Sequence, residues 1–210
     1  MREHEYSIVG HSRSRIGLYI AVFSGALASG LTLLVGYAVL RIEAAGYFDV
    51  PQLILWPFTA VSIFGILFFL FDRFAWKLFG LKAIVGVPNI SGCWALTGQS
   101  YDVEQNPTFD WSGKIDITQK YERIFIHLRT ETSESHSVSA AIVPEGRAGF
   151  RLIYAYRNEP KPGQKELNSH IGHCELLFSP DLCSAEGSYF NSGGRFTHGT
   201  MKLERTTEDG

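Results

Sequence analysis

The sequence predicts a mainly β protein in which two N-terminal transmembrane α-helices precede a small eight-stranded antiparallel up-and-down β-barrel. Three observations carry this expectation. Two long uncharged apolar runs lie within residues 1–82, period-two alternation begins near Asn89, and clusters of turn residues cut that alternation into short pieces. The division is also one of charge. Residues 1–82 hold seven Lys/Arg against five Asp/Glu, and residues 83–210 hold twelve against sixteen. The expected domains are therefore a membrane region over 1–82 and a strand-rich ligand-sensing domain over 83–210.

Composition excludes several classes. Of the 210 residues 45% are apolar and 19% charged, which is too apolar for extensive disorder. A net charge of −2 gives no basic signature of a protein that binds a nucleic-acid polymer. Three cysteines, Cys93, Cys174 and Cys183, cannot all pair, which favours a reducing compartment.

Ile16 to Leu40 is twenty-five residues without a charge. About twenty apolar residues cross the hydrocarbon core, so this run spans with some tilt. The run continues well past Ala26-Leu27-Ala28, which argues against a cleaved signal peptide. Val50 to Phe71 gives a second uncharged run of twenty-two residues, with Pro51 near its start and Pro57 inside as a kink or a starting point. Arg2, Arg13 and Arg15 precede the first span, and Arg73, Lys77 and Lys82 follow the second, whereas the connection carries only Arg41. The positive-inside rule then places both termini in the cytoplasm. Gly17, Ala21, Gly25 and Ser29 form a small-residue stripe on the first span. Such a stripe serves close packing against the second span or against another copy. Phe74, Trp76 and Phe79, interleaved with Arg73 and Lys77, read as an interfacial anchor.

The second half reads as strands at roughly 90–98, 111–119, 122–130, 135–143, 150–158, 170–178, 184–190 and 196–205. They are separated by turn chemistry such as Pro144-Glu145-Gly146 and Asn191-Ser192-Gly193-Gly194. No helical pattern intervenes, so a closed antiparallel barrel is expected, with a two-sheet sandwich as its rival. Alternation assigns the faces. Ile115, Ile117, Gln119, Ile124, Ile126, Leu152, Tyr154 and Leu203 share one parity, while Lys114, Arg123, Arg151 and Lys202 take the other, solvated one.

Up-and-down strands deliver their ends to alternate rims. The rim where the first strand starts, near Gly92 and Trp94, collects Gln119, Val143, Leu152 and Leu203. The far rim collects Thr130, Ser135, Ser137, Tyr156, Asn158, His170, Tyr189, Arg195 and Thr197. A purely structural barrel fills its interior with apolar groups, because buried unpaired polar atoms are costly. A polar, Tyr-rich mouth reads as a ligand site in which tyrosines stack on planar rings and Arg195 pairs with phosphate. A wetted rim without ligand is the plainer alternative.

Signatures of catalysis are absent from the sequence: no Walker-type loop, no GxSxG elbow and no HExxH. His170, His173 and Cys174 lie close together, but alternation sends His173 to the opposite face, so no metal site is expected. No cofactor and no enzymatic activity are expected either.

The order of the two halves, with Gly92-Cys93-Trp94, the run Leu152 to Pro160, His170-Ile171-Gly172, Gly187-Ser188-Tyr189-Phe190 and Arg195-Phe196-Thr197-His198-Gly199, resembles the two-transmembrane, β-strand-rich effectors of bacterial CBASS antiphage systems, associated with CD-NTases. The Gly-x-Trp opening is also similar to that of lipocalins. The resemblance implies that the barrel binds a cyclic nucleotide made by a partner CD-NTase. It further implies that the chain then homo-oligomerises and that its helices disrupt the lipid bilayer of the inner membrane, killing the infected cell. Far-rim parity, taken with that resemblance, assigns ligand contact to Tyr154, Tyr156, Asn158, His170, Tyr189, Arg195 and Thr197. The rival functions are a membrane-tethered barrel for an apolar ligand and a non-enzymatic scaffold.

Overall fold

The computed structural model describes residues 3–46, 59–78, 81, 85–163, 168–193 and 197–206. The chain divides into two units, one made of residues 12–85 and the other of residues 1–11 together with 86–210.

In the first unit, helix α1 runs Arg13–Ala44 and helix α2 runs Ala60–Arg73. Among the described residues α1 is the one helix long and apolar enough to cross a membrane. At 1.5 Å per residue its length is about 48 Å, more than the roughly 30 Å of a hydrocarbon core. Helix α2 begins at Thr59, whose hydroxyl accepts the Ser62 amide at 3.3 Å, a side-chain cap on an otherwise unsatisfied donor. The expected second span overlaps α2, but Val50 and the two prolines, Pro51 and Pro57, fall outside the described residues. The row of α1 that is buried is Ile16, Ser24 and Ala28. The stripe Gly17, Ala21, Gly25, Ser29 lies one residue round the helix, with Ala21 and Ser29 exposed. A 3-10 turn, Ala75–Lys77, follows α2. The expected anchor is different there. Phe74 is exposed but Trp76 is fully buried, and Phe79 lies outside the described residues.

In the second unit nine strands form a closed barrel. They are β1 (His4–Ile8), β2 (Gly92–Tyr101), β3 (Pro107–Gln119), β4 (Arg123–Thr130), β5 (Ser133–Pro144), β6 (Phe150–Pro160), β7 (His170–Phe178), β8 (Ser184–Ser192) and β9 (His198–Arg205). Strands β2 to β9 pair antiparallel with their neighbours in sequence, and β9 returns to β2. All eight expected strands are present.

The ninth, β1, corrects the strand count, and with it residues 1–11 join the barrel unit. Strands β4 and β5 bond directly only from His127↔His136 to Arg129↔Glu134. Beyond that they part, and β1 fills the gap, antiparallel to β4 (His4↔Ile124) and parallel to β5 (Tyr6↔Ala140 to Ile8↔Ile142). Its inward residues Tyr6 and Ile8 are buried. A second correction follows from a β-bulge in β5, where the register shifts between Ser137 and Ser139. The extra residue, Val138, is exposed, and parity flips beyond it, so Ile142 rather than Val143 faces inward.

The near rim is sealed. Trp94 is fully buried, edge-on to Phe178 at 5.0 Å, with the Arg205 guanidinium 4.4 Å above its ring. Arg205 also donates to the Ser91 and Leu182 carbonyls, both at 2.9 Å. Ile115, Ile124, Ile126, Leu152, Leu176 and Leu203 complete this apolar floor.

Candidate functional site

Above the floor the lumen opens into a cavity of about 810 Å³, inside the range of small-ligand pockets. Of the residues singled out from the sequence, Tyr154, Tyr156, Asn158, His170, Tyr189 and Thr197 all line it. Arg195 lies outside the described residues. Thr130 and Ser135 line the cavity as expected, whereas Ser137 does not and instead accepts the Ile126 amide at 3.0 Å.

A repeated local arrangement keeps this lumen open. Gly98 on β2 is the register partner of Trp111 on β3, Gly172 on β7 that of Tyr156 on β6, and Gly199 on β9 that of Tyr189 on β8. A Cβ at Gly98 would sit 2.5 Å from Trp111 Cζ2, one at Gly172 2.7 Å from Tyr156 Cε2, and one at Gly199 2.7 Å from Tyr189 Cε1. Each ring thus lies across a glycine on the neighbouring strand, against the wall rather than across the lumen. Three aromatic surfaces line the space without filling it.

Hydrogen bonds fix these rings. Trp111 Nε1 donates to the Tyr189 hydroxyl at 3.2 Å, and that hydroxyl pairs with Ser100 Oγ at 2.7 Å. Tyr156 OH donates to Asn191 Oδ1 at 2.8 Å, and Asn191 Nδ2 donates to Thr197 Oγ1 at 2.8 Å. Trp111 and Tyr189 meet edge to face at 5.6 Å, and Tyr154 and Tyr156 lie tilted to one another at 5.9 Å. His170 Nδ1 is held by the Asn168 carbonyl at 2.9 Å, which fixes the ring at the wall.

Burial holds the deepest phenol neutral. The Tyr154 hydroxyl is pushed well above its usual range by desolvation, with its partner Cys174 adding to the effect. The Cys174 thiol is likewise pushed up to about 12 by burial. Neutral phenols keep a donor proton and place no negative charge beside an anionic ligand. Asp110 and Glu131 are the carboxylates in the lining, and no Lys or Arg lines it among the described residues.

Sequence reasoning missed Ser100, Trp111 and Asn191, although each carries a parity signal. Trp111 shares the inward parity of Ile115 and Ile117, Asn191 that of Tyr189, and Ser100 that of Trp94 and Leu96. His173 points away from His170 and Cys174, stacked on Phe190 at 5.3 Å on the outer face. Among the described residues no group of three or more metal-ligating side chains converges.

The cavity falls wholly within residues 85–205, and that stretch matches the family model described as Cap15, cyclic dinucleotide receptor domain. Residues 14–77 match a second model, Cap15, TM helices. The chain belongs to the Cap15 family. It is 36% identical to CD-NTase-associated protein 15 of Yersinia aleksiciae over 208 residues, which is 98% of each chain. The Cap15 family is CBASS-associated and joins a cyclic dinucleotide receptor domain to a transmembrane region, the order of halves read from the sequence.

Proposed function

We propose that this protein is an antiphage effector whose barrel binds a cyclic dinucleotide supplied by a partner CD-NTase and whose helices then damage the inner membrane. The observation that supports it best is the cavity of about 810 Å³, lined by rings laid over glycines and by neutral hydroxyl and amide groups. Flat aromatic surfaces suit nucleobases, which stack without regard to sequence, and the hydroxyl and amide groups suit base edges and ribose. Two phosphodiesters need a local cation rather than a basic surface, and Arg195 supplies it. Tyr154, Tyr156, Asn158, His170, Tyr189 and Thr197 make the remaining contacts.

The polar lining speaks against an apolar ligand. Binding acts without catalysis. Both spans cross the inner membrane with both termini in the cytoplasm, and activated copies associate through Gly17, Ala21, Gly25 and Ser29. Exposure of Ala21 and Ser29 supports that role for the stripe over packing within one chain.

The test is thermal melting of the whole protein in detergent against cyclic di- and trinucleotides, with linear dinucleotides and mononucleotides as controls. Ligand at about a hundred times its dissociation constant adds about 2.7 kcal/mol, a shift of several degrees. No shift with any cyclic member would overturn the receptor assignment for this cavity.

A further inference from the structure

The sealed rim holds one conspicuous polar side chain. Gln119, at the end of β3, is buried among apolar neighbours, 2% exposed. Its Oε1 accepts the Ile90 amide at 2.9 Å, and its Nε2 donates to the Tyr6 hydroxyl and the Pro88 carbonyl, both at 3.0 Å. A carboxamide offers a planar acceptor and two donors, and here all three functions are used. An apolar residue would seal the rim at lower desolvation cost, as Ile142, Leu152 and Leu203 do. What Gln119 does beyond sealing is set by its partners.

Those partners are the two chain segments that join the barrel to the helices. Tyr6 belongs to β1, which ends at Ile8, five residues before α1 begins at Arg13. Pro88 and Ile90 belong to the segment that enters β2 from the helical side. Strand β1 also has a second attachment, nearer the cavity: His4 Nε2 pairs with Ser137 Oγ at 2.7 Å, two residues from the cavity-lining Ser135. So β1 is tied by side chains at its first residue, toward the pocket, and at its middle residue, toward the rim from which both connections depart. It is the shortest of the nine strands, five residues long, with two buried side chains, Tyr6 and Ile8, so it has little packing of its own.

We propose that Gln119 is a positioning residue that clasps both connections, and that occupancy of the pocket is passed to the membrane helices by seating or releasing β1 at this clasp. The coupling step rests on the receptor reading above; the clasp itself does not.

The experiment uses the full chain in detergent and in liposomes, with two variants. Gln119→Met keeps the size of the side chain and removes all three bonds, and Tyr6→Phe removes only the phenol oxygen. Hydrogen exchange without nucleotide reads the clasp at two amides, Ile90 and Val9, the latter donating to the Ile142 carbonyl at 2.9 Å. Gln119→Met should speed exchange at both by about tenfold, the equivalent of one hydrogen bond, while β6 to β8 stay protected. Unchanged protection at either amide overturns the clasp, whatever the ligand. Dye release from liposomes on adding cyclic di-AMP, cyclic di-GMP or cyclic GMP-AMP reads the coupling. Both variants should bind as the parent does, within about threefold, yet lose release. Release equal to the parent's at equal binding overturns the coupling. A parent protein that melts cooperatively but binds none of the panel fails the receptor reading instead, and the exchange result still decides the clasp.

Discussion

Placing a single methyl group at Gly98 tests the idea that the pocket is shaped by rings laid over glycines. The Cβ of Gly98→Ala would fall 2.5 Å from Trp111 Cζ2 and 2.8 Å from Nε1. Carbon atoms rest at roughly 3.5–4.0 Å, so the indole must swing by about 1–1.5 Å. The strand wall blocks outward movement, so the ring goes into the lumen. It also gives up its 3.2 Å bond to the Tyr189 hydroxyl, worth about 1 kcal/mol. Against that loss, alanine stabilises by about 0.4–1 kcal/mol through the unfolded chain, because Gly98 has no positive φ to protect. The two terms nearly cancel in stability but not in binding, where a displaced ring occupies ligand space. The expected result is a melting temperature within a few degrees of the parent and nucleotide affinity at least about tenfold weaker by calorimetry. Parent-like affinity in a folded Gly98→Ala protein would refute the argument that this glycine sets the pocket wall.

Four further expectations share the same reasoning. Arg205→Met removes a cation over Trp94 and three bonds to carbonyls, the third a long one to Asn89, and should lower barrel stability by on the order of 3 kcal/mol in a melt. Arg195→Ala should weaken nucleotide binding about tenfold and flatten its salt dependence; unchanged titrations would remove this residue from the site. Gly25→Leu should reduce toxicity in cells while leaving affinity intact, and full toxicity would point to another interface. The Cys93 thiol is raised chiefly by its hydrogen bond to Asp116, so less thiolate is present at any pH below its pKa. Asp116→Asn should therefore speed alkylation of Cys93 near pH 8, read by mass spectrometry, while buried Cys174 stays unlabelled in both proteins.

Much of this architecture was legible because the pleat has period two. That single periodicity located β2 to β9, put Tyr154, Tyr156, Asn158, His170, Tyr189 and Thr197 on one inner surface, and separated them from Arg151 and Lys202. It failed where the backbone departs from the pleat. The bulge at Val138 reverses the parity of the rest of β5, and nothing in Ser137-Val138-Ser139 announces it. Strand β1 was hidden for a different reason. Five residues with two buried side chains carry little pattern, and β1 gains its stability from partners more than a hundred residues away. The aromatic–glycine pairs needed register as well as parity, since Trp111 and Gly98 become neighbours only once β2 and β3 are aligned.

Strand β1 also sets a timetable. Ribosomal synthesis runs from the N-terminus, so His4 is made about 120 residues before its partner Ile124, and Tyr6 about 134 before Ala140. Helix α1, long and apolar enough to cross a membrane, follows β1 at once, while the barrel is still unmade. The first stave therefore waits, tethered to that helix, for a wall that arrives late. During that interval the β4 and β5 partners of β1 do not yet exist, and its two strand edges stand open to any neighbouring nascent copy.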